Sequence, residues 1–262
     1  MVIKNLDEQD IIQDKKINYL FLSVLNNKLR IKCKILKSDF CLDSFNYFPI
    51  IDNNVSFRDI FQWHNSSPNR YDHFYTESFS NNFFERRKNF KKFSNAVILG
   101  SSPSNDYFRN MMTFLPRIFF ISDKEINLVI HRNTSNKFRV FIKEILTQKK
   151  IKVKKFIYLD DDFYKFNNSK IPQFFTMAAS AIILNKSLSY IKRDSGLKIY
   201  LSRHNSDCRN LINEGDLKDT LKKKNFMIVD TNNMSVFEQI KIFSRADAII
   251  GPTSSALTNL VF

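Results

Sequence analysis

The last third of the chain most limits what it can fold into. Three short apolar runs, "LKIYLSR", "FMIVD" and "DAIIG", are separated by the longer stretches "CRNLINEGDLKDTLKKKN" and "MSVFEQIKIFSRA". Each run is continuously apolar and too short for an ordinary helix, which is the pattern of a strand buried on both faces. Such strands, alternating with helices, predict a parallel sheet flanked by helices. Ser235 and Glu238, three residues apart ahead of an apolar stripe, predict a capping box. Gly215 predicts an interruption in the preceding helix. Ligands of such sheets bind beyond the carboxyl ends of the strands.

Only four glycines occur in 262 residues. Gly251 stands where "DAIIG" gives way to "PTSSALTNLVF", which is expected to start another helix. A loop that leaves a parallel strand and opens a helix presents unpaired backbone N–H groups at the positive end of the helix dipole, and these hold anions. Gly251 would let backbone approach a ligand closely, and Pro252 stiffens the turn. Thr253, Ser254 and Ser255 add hydroxyls around a small entrance. A phosphate suits that chemistry, in particular the diphosphate of a nucleotide-sugar. An ordinary strand-to-helix turn with a serine cap accounts for the same residues.

Upstream, "NAVILG", "INLVI" and "KKFIYL" read as buried strands, and "FRVFIKEIL" as a helix. "QFFTMAASAIILNKSLSYIKR" has helix length and an apolar stripe. "YFRNMMTFLPRIFFI" has helical spacing broken near Pro116. "KLRIKCKIL" predicts a strand and "NFFERRKNFKKF" a charged helix. "YLFLSVL" and "FFTMAASAIIL" fall short of the ~18 apolar residues of a membrane span and read as core helices. The start "MVIKNLDEQDIIQ" lacks a signal-peptide pattern. With 43% hydrophobic residues, a core forms without metals or disulfides. Cys33, Cys41 and Cys208 are scattered and lack zinc-site spacing, which predicts reduced thiols in a cytoplasmic setting.

Residues 198–262 carry a family resemblance. In order they hold a strand ending in Ser202-Arg203, then Arg209 followed by Asn213-Glu214, a second strand, Ser235 with Glu238-Gln239, and Gly251 through to Thr258-Asn259. This series resembles the C-terminal signature of glycosyltransferase family 61, whose members are often labelled capsular polysaccharide biosynthesis proteins. "NDYFRNMMTFLPRI" is similar to the family's N-Y-x-H-W-L-x-D-x-L-P-R segment, matching it at Leu115, Pro116 and Arg117. Arg109 falls near the family's histidine and Thr113 near its aspartate, while Thr253 replaces the histidine of the glycine loop. The resemblance implies an α/β, GT-B-like architecture of two Rossmann-like parallel-sheet domains. Residues 1–172 would form an acceptor-side domain, and residues 173–262 a nucleotide-sugar-binding domain that is incomplete, because the family normally continues past the position of Phe262.

The same resemblance implies an inverting, metal-independent transfer of a sugar from a nucleotide-sugar to a surface polysaccharide or lipopolysaccharide acceptor, with no cofactor. Arg203, at a strand's carboxyl end, would grip the donor diphosphate with its planar, permanently charged fork and offset charge on the departing nucleoside diphosphate. Arg209 and Glu214 either orient Arg203, contact the donor, or form a helix-surface ion pair. Glu238 either accepts from the ribose hydroxyls or serves the capping box. Gly251, Thr253, Ser254 and Ser255 complete the donor set. Inversion needs a general base for the acceptor hydroxyl. Asp106, with Arg109 beside it, is the nearest carboxylate in the Leu-Pro-Arg segment. His64, His73, His131 and His204 are other candidates.

Three other readings compete. Asp160, Asp161 and Asp162 follow an apolar strand and resemble the DxD motif of metal-dependent transferases. They also read as a solvated acidic loop. A net charge of +15 with 14% aromatics permits nucleic-acid binding, but no zinc-finger, RNA-recognition or basic-helix motif appears, so nucleic acid is not the expected partner. The charge fits either a compositional bias or peripheral contact with an anionic inner-membrane face. A shortened copy also fits an inactive remnant or scaffold in polysaccharide assembly.

Overall fold

The computed structural model describes residues 18–25, 30–44, 48–51, 55–56, 83, 85–100, 106–191, 195–203 and 211–262. Arg209, His64, His73, His204 and Cys208 lie outside the described residues. Two sheets organise the rest. The larger contains β1 (Asn18–Leu25), β2 (Arg30–Asp43), β3 (Phe48–Ile51), β4 (Val55–Ser56), β5 (Lys91–Ser94), β6 (Ala96–Ile98), β7 (Glu125–His131), β8 (Lys152–Leu159) and β9 (Phe163–Pro172). Its order is β4-β3-β2-β9-β6-β7-β8, with β1 on β2 and β5 on β9. β6, β7 and β8 are mutually parallel, and β9 runs parallel to β5 and β6. β1 to β4 are antiparallel, and β9 joins them by an antiparallel ladder with β2. The sheet is therefore mixed, and not the purely parallel one expected.

The buried strands owe their continuous apolar runs to two cores. In β7, Ile126, Leu128 and Ile130 enter one cluster and Val129 enters the other. The first cluster is covered by α1 (Asn136–Gln148) and α2 (Met177–Ser187). Ser135 caps α1 by accepting from the Phe138 amide, and Phe138, Phe141, Ile142, Ile145 and Leu146 form its buried stripe at helical spacing. Although it follows Pro172, α2 packs Leu184 into this core. Between β6 and β7 the chain winds as a short α turn (Tyr107–Arg109), a π turn (Asn110–Phe114) and a 3-10 turn (Leu115–Phe120). Arg117 of that segment is wholly buried. Its guanidinium donates to the carbonyls of Pro172, Ile98 and Leu99 and lies over the Phe174 ring. It thereby ties the end of β6 to the end of β9.

Several expectations are corrected. "YLFLSVL" is strand β1, paired from Asn18↔Lys37 to Leu25↔Arg30; a seven-residue apolar run does not tell helix from strand, and the neighbouring β2 decides it. "NFFERRKNFKKF" ends in a 3-10 turn (Arg87–Asn89) and then strand β5. Tertiary packing overrides helix propensity here: Phe90 stacks on Phe163, and Phe93 on Phe166. Strand β9 itself was not expected.

The smaller sheet is wholly parallel, with β10 (Leu197–Leu201) between β11 (Phe226–Val229) and β12 (Ala246–Ile250). This matches the expected alternation. α3 (Glu214–Lys223) links β10 to β11, and α4 (Val236–Phe243) links β11 to β12. Gly215 sits in the first turn of α3 without interrupting it. After β12 the chain forms a 3-10 helix (Ser255–Val261) rather than an α-helix. Val236 and Ile240 of α4 enter the same core as Leu128 and Phe138, so one apolar cluster joins the larger sheet to a helix that flanks the smaller one, while Leu201 of β10 packs in a separate cluster with Phe243 and Ala256. Among the described residues no helix is long and apolar enough to cross a membrane.

Candidate active site

The smaller sheet sends its three strand-end loops to one rim. Beyond β10 come Ser202 and Arg203, beyond β11 come residues 230–235, and beyond β12 come residues 251–254. The first loop is held by Glu214, the opening residue of α3, which is 3% exposed. Its Oε1 accepts from Tyr200 Oη (3.1 Å), Ser202 Oγ (3.0 Å) and the Arg203 amide (3.1 Å). Its Oε2 lies 3.0 Å from Lys218 Nζ, one turn along. Burial pushes this carboxyl up, but Lys218 and the three hydrogen bonds outweigh it and hold the group at about 2. Glu214 is an ionised anchor that fixes the Arg203 backbone.

Arg203 is half-buried and spans to the neighbouring loop, its Nη1 donating to the Thr253 carbonyl at 3.3 Å. The loops after β10 and β12 thus meet. Gly251 explains why they can: a Cβ there would stand 2.8 Å from both Cβ and O of Leu201. The glycine admits protein, the end of β10, at close range, where sequence reasoning had assigned the approach to a ligand. Ser254 accepts from the Ala256 amide and caps the 3-10 helix. Ser255 is exposed, and its carbonyl accepts from Thr258 Oγ1.

Glu238 lies exposed on the adjoining rim, engaged in the capping box. Its Oε2 accepts from the Ser235 amide and hydroxyl, both at 2.8 Å, and the Glu238 amide donates to Ser235 Oγ. The Ser235 amide holds this carboxyl below its usual range. Of the two roles open to Glu238, the structure shows the cap.

On the larger sheet, Asp106 caps the turn Tyr107–Arg109 by accepting from the Arg109 amide at 3.0 Å. Asp106 and Arg109 therefore share one turn. Between them stands Tyr107, whose Oη donates to Asn259 Oδ1 at 2.8 Å, across 152 positions of sequence. Asn259 is wholly buried. Its Nδ2 donates to Gln239 Oε1 (3.2 Å) and to the Ala256 carbonyl (3.0 Å). Gln239 Nε2 in turn reaches the carbonyls of Thr231 and Met234. Lys137, at the start of α1, adds a contact to the Asn232 carbonyl. The strand-end loops of the two sheets therefore face each other. Sequence reasoning missed Tyr107 and Gln239 as parts of this site. Gln239 stood in the quoted signature beside Glu238, and Tyr107 beside Asp106, but local spacing showed nothing of their meeting.

The three aspartates after β8 do not converge. Asp160 pairs with Arg132 Nε (2.9 Å), Asp161 with His131 Nε2 (3.0 Å) and Asp162 with Arg86 Nη2 (2.6 Å). Among the described residues no cluster of three potential metal ligands forms. His131 is buried, and its Nδ1 accepts from the Asn133 amide. With Asp161 at its other nitrogen, it is poorly placed to take a proton from an acceptor. Its burial lowers its pKa against the raising effect of Asp161.

A family model described as Glycosyltransferase 61 matches residues 71–262. The match takes in β5 to β12 and the whole rim just described. No curated protein matches the sequence.

Proposed function

Because the chain belongs to glycosyltransferase family 61, we propose that it moves a sugar from a nucleotide-sugar onto a surface polysaccharide or lipopolysaccharide acceptor, with inversion and without a metal. The donor diphosphate would lie against residues 251–255 and the Arg203 guanidinium. The observation that carries this reading is the Arg203–Thr253 contact, which brings a permanent cation to a loop of hydroxyls and amides at the carboxyl ends of two parallel strands. Arg203 would offset charge on the leaving nucleoside diphosphate, the role a metal fills in other transferases. Its amide is fixed by Glu214, so the cation starts from an ordered backbone.

The acceptor would approach from the larger sheet. Asp106 is the carboxylate we assign as general base, on the turn that Tyr107 joins to the opposite rim. Its role would be to take the acceptor hydroxyl's proton as that oxygen attacks the anomeric carbon from the face opposite the diphosphate. Arg109 on the same turn would help hold the acceptor. The partners of Asp160, Asp161 and Asp162 favour the metal-independent route over the DxD alternative, since Asp160 and Asp162 each pair with an arginine and Asp161 is held by the buried His131 imidazole. A lipid-linked acceptor and the net charge of +15 together suit work at an anionic membrane face.

Calorimetric titration with uridine and guanosine diphosphates, with and without a chelator, tests the reading. Binding that survives the chelator and weakens ~30-fold or more in Arg203→Ala is expected, the cost of removing a charged phosphate contact. Chelator-sensitive binding would move the site to the aspartates. Equal affinity in Arg203→Ala would remove Arg203 from it.

A further inference from the structure

The relay Tyr107–Asn259–Gln239 has no assigned role in the transfer. Its geometry is specific. Asn259 is 0% exposed and Gln239 is 3% exposed. Through Asn259, three strand-end loops are bonded to one amide group or its immediate partner: the loop after β6 through Tyr107, that after β11 through Gln239, and that after β12 through Ala256. Burial pushes the Tyr107 phenol above its usual range, so it remains a donor. Its ring stays packed on Phe138, with centroids 5.2 Å apart.

We propose that Asn259 is a positioning residue for the donor loop, holding residues 251–256 at a fixed distance from the turn that carries Asp106 and Arg109. The physical reason lies in the shape of the terminal segment. Residues 251–255 carry no large apolar side chain; the apolar hold begins at Ala256 and Leu257, which pack with Leu201 and Phe243, and ends with Val261 and Phe262 on the main core. The polar hold on the loop is the grip of Asn259 on the Ala256 carbonyl, the Ser254 cap on the Ala256 amide, and the Tyr107 hydroxyl at the far side. A buried, fully bonded amide allows one arrangement, because any shift leaves polar groups unpaired away from water. Donor and acceptor groups would then be pre-set relative to each other before substrate arrives. The effect on catalysis rests on the donor-loop reading above; the hold on the loop does not.

The test uses the full chain as Tyr107→Phe, which keeps the ring on Phe138, and as Asn259→Ala. Hydrogen exchange without ligand reads the hold directly. Exchange at amides 253–259 is expected to quicken about 5- to 10-fold in Tyr107→Phe, the scale of one lost hydrogen bond, with β7 and α1 unchanged. Affinity for the nucleoside diphosphate should fall by a similar factor, while the melting temperature moves by only about 2 °C. Asn259→Ala should do the same more strongly. If the wild type binds neither diphosphate but exchange quickens as expected, the hold stands and the donor reading fails. Unchanged exchange at 253–259, or equal quickening throughout the protein, overturns the proposal. So does quickened exchange with wild-type nucleotide affinity.

Discussion

Replacing Glu214 with Gln isolates the charge at the base of the Arg203 loop. Glutamine keeps the shape and one acceptor oxygen for Tyr200, Ser202 and the Arg203 amide, but it loses the ion pair to Lys218. The folded carboxyl sits at about 2 against an ordinary 4.5. That depression contributes stability that is complete above the ordinary value and is lost as the pH falls through the folded one. Linkage puts the contribution at ~3 kcal/mol at pH 7, ~1.5 kcal/mol at pH 3 and below ~0.5 kcal/mol at pH 2. Urea unfolding of wild type and Glu214→Gln, followed by far-ultraviolet circular dichroism at pH 7, 4 and 3, measures the gap directly. The two proteins should differ by ~3 kcal/mol at neutral pH and converge as the pH falls. A gap that is the same at pH 7 and pH 3, or one under ~1 kcal/mol at pH 7, would show that the hydrogen bonds alone hold the loop and that the charge is incidental.

Three further substitutions probe the frame around the site. Gly251→Ala should cost ~1–3 kcal/mol, since the new Cβ would press on Leu201 at 2.8 Å; a denaturation midpoint equal to wild type would mean the loop moves aside freely. Arg117→Lys should cost ~3 kcal/mol or more, because an ammonium cannot span the carbonyls of Pro172, Ile98 and Leu99, and a thermal melt reads the loss. Ser235→Ala removes the cap that accepts from the Glu238 amide and should cost ~1 kcal/mol with nucleotide binding unchanged. A large binding defect in that variant would instead give Ser235 or Glu238 a place in the donor site.

What could be read ahead of the structure was local. β10, β11 and β12 are short runs with no competing period, and the Ser235–Glu238 box is a four-residue signal; both needed no tertiary information. Strand β9 hid because "FYKFNNSKIP" carries Asn167-Asn168, a pair that reads as a turn. In the fold Asn168 takes a left-handed φ of 43°, and the ladder with β2 shifts register between Ser38 and Phe40. The strand survives because its neighbours on both sides supply partners. Charges at 85–92 suggested a helix; rings from β9 made its end a strand. That Arg203 and the 251–255 loop follow strand ends was legible, because the apolar runs before them read as strands. The Tyr107–Asn259 bond was not, since nothing within a window of chain relates residues 152 positions apart. Gly251 was expected to make room for a ligand, and the fold adds a second reason for glycine there, since a Cβ would meet Leu201.

The apolar cluster shared by the larger sheet and α4 bears on how substrates would enter. Leu128, Phe138 and Ile142 on one side and Val236 and Ile240 on the other pack without a break. Swinging the halves apart would wet these side chains at ~1.5–3 kcal/mol for each one fully exposed. On the proposed function, entry and exit would then fall to the rim segments. Surface loops move on nanosecond to microsecond scales rather than the slower tempo of whole-domain swings, so the rhythm of turnover would be set by a handful of residues at the mouth while the body beneath stays still.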